Sequence, residues 1–140
     1  MGVVVCLLVA VLSVLLHYEI LTLLSSRITR LVRLHHRLRV LVTLVVVLAG
    51  HVLEVLLFAA AYQAMTEAGL GYLQGNFTGS ITDYVYFSFT VYSTLGLGDI
   101  APFGSLRLLA GIQSVVGLLL IAWSGSFIFI EMQRYWGLKK

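Results

Sequence analysis

I-T-D-Y-V-Y-F-S-F-T-V-Y-S-T-L-G-L-G-D-I-A-P-F-G-S, residues 81–105, decides the fold. Its first dozen residues are aromatic and β-branched, too few to cross a bilayer, which takes about 20 mainly apolar residues. They run into Thr94, then Gly96-Leu97-Gly98, then Asp99, then Pro102, the only proline in the chain. A half-length apolar segment of this kind reads as a re-entrant helix, here over about 82–93. The backbone that follows is tolerated at membrane depth only where protein buries it or where it lines a wet cavity. The run from Thr94 to Gly98 is that backbone.

The flanks are those of an all-α membrane protein. Apolar stretches at about 2–24, 40–65 and 106–130 are each long enough to span. Their apolar residues surround each helix instead of forming one stripe, so lipid or neighbouring helices cover every face. Across 140 residues, 60% are hydrophobic and only 11% charged, against about 25% charged in an ordinary soluble domain. The mean hydropathy is +1.01. A soluble domain this small could not hide so much apolar surface. Cys6 is the single cysteine, which excludes an internal disulfide and a cysteine metal cluster. No positive charge precedes the first apolar run, so a cleaved leader is not expected.

Charge gives the expected topology. Arg27, Arg30, Arg33, Arg37 and Arg39 cluster between the first two spans, and Arg134, Lys139 and Lys140 follow the third. Residues 66–106 hold no Lys or Arg but do hold Glu67, Asp83 and Asp99. The positive-inside bias places the 25–39 loop and the C-terminus in the cytoplasm, and three spans then place the N-terminus outside. The arginines at helical spacing predict an amphipathic turn at the lipid surface. They read first as a topology determinant; nucleic-acid binding and voltage sensing fit less well, because the run lies between spans. The polar stretch 66–79 predicts an external loop, and its Asn76-Phe77-Thr78 sequon is of a kind that arises often by chance.

A cation crossing a bilayer must replace its hydration shell, and rings of backbone carbonyls do so without a net charge that would trap it. Turning successive carbonyls to one side demands unusual backbone angles, which Gly96 and Gly98 supply cheaply. Thr94 adds a hydroxyl oxygen at the inner end. The short helix aims its partly negative C-terminus toward the same place, which favours a cation. The rival is an ordinary external hairpin, since Gly-x-Gly alone carries little information.

Residues 86–102, Y-F-S-F-T-V-Y-S-T-L-G-L-G-D-I-A-P, resemble the pore loop of potassium channels. The family pattern is an aromatic pore helix, then T-x-G-Y/F/L-G-D, then a proline a few residues on. The resemblance covers roughly 80–130 and implies carbonyl sites at Thr94, Leu95, Gly96 and Leu97, with Gly98 completing the filter. It places Asp99 at the outer mouth, Tyr86 and Thr90 as pore-helix supports, and Gly117 near the hinge glycine of the pore-lining helix. Two departures stand out. Leu97 replaces the common central aromatic, as in some second pore loops of two-pore-domain potassium channels. Thr90 stands where the bacterial two-helix prototype has a glutamate. Each removes a brace from the filter.

Other ionisable residues lie inside the spans, where charge is expensive. His51 and Glu54 are three apart and share a helix face. His17 and Glu19 lie in the first span. The four read either as a hydrogen-bonded packing cluster or as a pH-sensitive gate; a metal site is conceivable, but the spacing is not diagnostic. Gln113 in the third helix is a candidate to back the filter.

The reading is two parts, 1–39 with the first helix and basic loop, and 40–140 as a channel pore domain. The expected function is passive conduction of monovalent cations, potassium first, through a homotetramer in the plasma (inner) membrane. Lipid is the expected environment, with no nucleic acid partner, no enzyme activity and no cofactor beyond permeant potassium. The alternatives are a weakly selective cation channel and a non-conducting subunit that modulates another channel.

Overall fold

The computed structural model describes residues 1–28 and 36–136. Four helices carry it: α1 (Gly2–Leu23), α2 (His36–Glu67), α3 (Ile81–Tyr92) and α4 (Leu106–Trp136). A π-helical turn, Leu24–Ile28, ends α1. Segments Gly2–Arg27, Leu38–Glu67 and Leu106–Gln133 are long and apolar enough to cross a membrane. Of the expected surface-lying arginine turn, residues 29–35, with Arg30 and Arg33, lie outside the described residues, while Arg27 sits in the π-helical turn and Arg37 and Arg39 in the first turn of α2.

The expected re-entrant helix is α3, twelve residues long. It starts where Ser80, in extended conformation, accepts a hydrogen bond from the Asp83 N–H at 3.2 Å. Such a cap satisfies one of the N–H groups that the first helical turn leaves open. Asp83 in turn accepts from the Thr78 N–H (2.7 Å) and hydroxyl (2.6 Å), folding the preceding loop over the helix start. These bonds, the hydroxyl first, hold the Asp83 carboxyl below the usual carboxylate range.

α1 packs against both α2 and α4, although it lies outside the segment that resembles a pore domain. Lipid tails are as apolar as leucine, so close packing and polar contacts must hold such helices together. Small residues permit the approach. A methyl group at Gly2 would sit 2.7 Å from the Ser105 hydroxyl, and one at Gly50 would sit 3.0 Å from the Ile20 side chain. The larger apolar core joins Cys6 and Val9 of α1, Phe58 and Tyr62 of α2, Tyr84 and Phe87 of α3, and Leu106 and Leu109 of α4. A second cluster, around Leu21, Leu24 and Val47, holds the other end.

A two-stranded antiparallel ribbon, β1 (Gly71–Gly75) and β2 (Ile100–Gly104), adds to the all-helical expectation. It forms within the stretch read as an external loop and pairs it with the segment after Gly98. Leu73 lies opposite Pro102 and Gly75 opposite Ile100. Pro102 lacks an N–H but is tolerated because a two-stranded ribbon has only edges. Tyr72 and Phe103 stack across it with ring centres 5.0 Å apart. At Gly75, φ is +121° and any Cβ would collide with the Asp99 carbonyl.

Candidate functional site

A polar network inside the bundle fixes α3 in place. Tyr62 donates to Gln113 Oε1 (2.7 Å), Gln113 Nε2 donates to Ser88 Oγ (2.7 Å), and Ser88 donates to the Val55 carbonyl (2.7 Å). Gln113 and Ser88 are both fully buried. A buried polar group without a partner is expensive, so a fully satisfied chain ties α2, α3 and α4 in one register. Gln113 therefore backs the re-entrant helix and not the loop beyond it. Sequence reasoning missed Ser88 and Tyr62, which look like ordinary packing residues.

The loop leaves α3 through a tight turn. Ser93 donates to the Phe89 carbonyl (2.8 Å), the Thr94 N–H to Val91 O (3.0 Å) and the Gly96 N–H to Thr90 O (3.1 Å). Positive φ then recurs at every second residue: Thr94 at 58°, Gly96 at 52° and Gly98 at 81°. In a regular strand successive carbonyls point to opposite sides. Alternating left-handed with ordinary residues turns them toward one side. Glycine at 96 and 98 was the expected device, but Thr94 is a third left-handed position. Positive φ in a β-branched residue is uncommon and costs about 1–3 kcal/mol, so its surroundings must impose it.

Residues 93–99 are all exposed in the single chain, Leu95 at 63% and Leu97 at 58%. Behind them lies a groove of about 320 Å3 lined by Phe87, Thr90, Val91, Thr94, Gly96, Gly98 and, from α4, Ala110, Gly111 and Ser114. At the other end of the loop, Tyr86 donates to Asp99 Oδ2 (2.8 Å), and the Asp99 carbonyl accepts the Asn76 N–H (2.9 Å). Asp99 is thus pinned to the re-entrant helix on one side and to the ribbon on the other.

Thr90, an expected support, and Gly117, expected near a hinge, are placed by their contacts. The Thr90 hydroxyl donates to Phe87 O (2.8 Å) within its own helix, so only the Thr90 carbonyl braces the loop. Helix α4 runs unbroken through Gly117. A Cβ there would fall well inside contact distance of the Tyr92 carbonyl, so Gly117 is where α4 presses against the foot of α3.

The intramembrane residues converge, with one exception. Glu54 is fully buried and takes His17 Nδ1 on Oε1 (2.8 Å) and His51 Nδ1 on Oε2 (3.1 Å). The Tyr92 hydroxyl donates to the same carboxylate and lies 2.9 Å from His51 Nδ1. His17 Nε2 faces the Ser124 hydroxyl at 3.3 Å, and its ring centre lies 5.4 Å from that of Trp123. Glu19 is not part of the group. It is exposed, because two residues along a helix is a rotation of about 200° from His17. Tyr92 was the unforeseen member, since it reads as one more pore-helix aromatic.

A family model described as that of an ion channel matches residues 40–134. That match covers α2, the ribbon, α3, the 94–98 loop and nearly all of α4. Neither the curated proteins nor the solved structures give a match.

Proposed function

Because the chain belongs to the two-helix ion channel family, we propose that this integral membrane protein conducts monovalent cations passively, potassium first, through a pore closed by four copies of residues 94–98. The observation that carries this reading is the alternation of positive φ at 94, 96 and 98 in a segment left uncovered by its own chain. One chain supplies one loop, and a ring of carbonyls needs several, so the functional unit is a symmetric homotetramer with α4 lining the pore.

In that ring the carbonyls of Thr94, Leu95, Gly96 and Leu97 replace the hydration shell of the ion. The C-terminus of α3 lends partial negative charge, and Asp99 stands at the outer mouth, held by Tyr86. The basic 25–39 loop and the C-terminus lie in the cytoplasm and the N-terminus outside, in the plasma (inner) membrane. Potassium here is cargo, and the chemistry requires no resident cofactor.

Weaker selectivity is the second reading, and two observations favour it. Leu97 has no phenol to brace the filter from behind, and the Thr90 hydroxyl is spent inside its own helix. Flux from liposomes holding only the purified chain tests conduction, and reversal potentials in mixed potassium and sodium test selectivity. The proposal expects potassium efflux and a reversal potential near that of potassium. A reversal potential insensitive to exchanging the two ions supports the second reading. Absence of flux from a correctly assembled protein overturns both and leaves a non-conducting subunit.

A further inference from the structure

We propose that His17, His51 and Glu54, with Tyr92 beside them, form a binding site for one transition-metal dication of the zinc class. The donor atoms of the two histidines and the glutamate all lie within 4.8 Å of one another. A tetrahedral zinc ion holds nitrogen and oxygen donors at about 2.0–2.1 Å, which sets them roughly 3.3–3.5 Å apart. Two of the pairs lie just inside that spacing, each on a different oxygen of the carboxylate: His17 Nδ1–Glu54 Oε1 at 2.8 Å and His51 Nδ1–Glu54 Oε2 at 3.1 Å. A small separation of the side chains admits the ion.

The chemistry of the set is selective. Two imidazole nitrogens with one carboxylate suit zinc, copper, nickel or iron, while magnesium and calcium prefer oxygen alone. The charge also fits. Glu54 is fully buried among apolar helices, and its polar neighbours are the two imidazoles and the Tyr92 hydroxyl. A dication supplies the positive charge that a buried carboxylate needs. Tyr92 lies close enough to Glu54 and His51 to be a fourth donor or to hold a fourth, water ligand.

The surroundings are those of a ligand set. Metal-bound histidines keep one nitrogen for the ion and donate the other N–H to a partner that fixes the tautomer. His17 presents Nδ1 to the carboxylate and Nε2 to the Ser124 hydroxyl. His51 and Glu54 sit three apart on one face of α2, a spacing that helical metal sites use. The ion would join α1 to α2 at the foot of α3, two residues before Thr94, with Ser124 of α4 behind His17. The bearing of occupancy on the filter rests on the function proposed above, but binding itself does not.

The test uses the full chain in detergent, stripped with a chelator and dialysed against zinc, with the bound metal counted. The expected result is one zinc per chain. His17→Ala and His51→Ala each weaken it by about 100-fold or more, and Ser124→Ala by about 10-fold. The double variant His35→Ala/His36→Ala, outside the donor set, keeps the wild-type affinity. Cobalt in place of zinc gives the visible absorption of a tetrahedral site, lost in His17→Ala. Ser124→Ala and the cobalt spectrum of the wild type decide the matter should the histidine variants fail to fold. Wild-type protein that takes up no zinc, or uptake unchanged in the His17 and Ser124 variants, overturns the proposal. Neither readout requires conduction, so this site and the pore fail or stand separately.

Discussion

Gly96→Ala tests the backbone of the proposed filter without touching its packing. Gly96 has a φ of 52°, and beyond its two chain neighbours no atom of the chain lies within 4 Å of where a Cβ would sit. The penalty is therefore conformational. An L-residue held in the left-handed region costs about 1–2 kcal/mol. At about 1.36 kcal/mol per tenfold, that depopulates the required geometry about 5–30-fold in one chain. If four strands must hold it together, the sum is about 4–8 kcal/mol, a loss of roughly a thousandfold to a millionfold. Assembly should survive, because the core and the α3 network are untouched. The assay is potassium flux from liposomes at matched protein content, with the oligomer checked beforehand. Co-assembly with wild type sharpens it: one altered chain per ring already costs about 5–30-fold, so flux must fall more steeply than the wild-type fraction. Wild-type flux from the pure variant would refute the claim that residues 94–98 form the conducting surface.

Three further outcomes follow from the same geometry. Tyr86→Phe removes the hydroxyl that holds Asp99 at 2.8 Å, so single-channel recordings should show shorter openings with little change in assembly. Gly117→Ala drives a methyl group into the Tyr92 carbonyl, and because that obstacle is backbone, α4 must shift; a loss of about 1–3 kcal/mol is expected, read as a lower thermal midpoint. Asp83 has its carboxyl lowered by the bonds from Thr78 and Ser80, so its contribution is present above the ordinary carboxylate range and fades as pH falls through its folded value. Thermal midpoints of wild type and Asp83→Asn should therefore differ at neutral pH and converge in acid.

What the sequence made legible was whatever rests on local composition. Span length and apolarity located three helices, and a short aromatic run before Gly-x-Gly located α3 to within a residue at each end. Three kinds of feature were hidden. The ribbon pairs residues 71–75 with 100–104, across the whole of α3, and its strands carry Gly and Pro where a strand signal would need β-branched residues. Contacts between helices were hidden as well. The spacing of His51 and Glu54 showed a shared face, but nothing in the sequence brought His17 to Glu54, and nothing but helical phase excluded Glu19. Tyr92, Ser88 and Tyr62 became visible as polar partners only once α3 was seated against α2 and α4. The left-handed Thr94 was illegible for a different reason: its side chain disfavours that conformation, so only the fold that surrounds it can impose it.

The proposed pore requires main-chain oxygens of residues 94–97 from several copies to surround a dehydrated cation. Crystals grown with rubidium or thallium in place of potassium test it through anomalous scattering. Such a pore gives a column of peaks on a fourfold axis, each ringed by carbonyls of those residues. Copies that share no such axis, or a 94–97 segment facing bulk water with no ion along it, would contradict it.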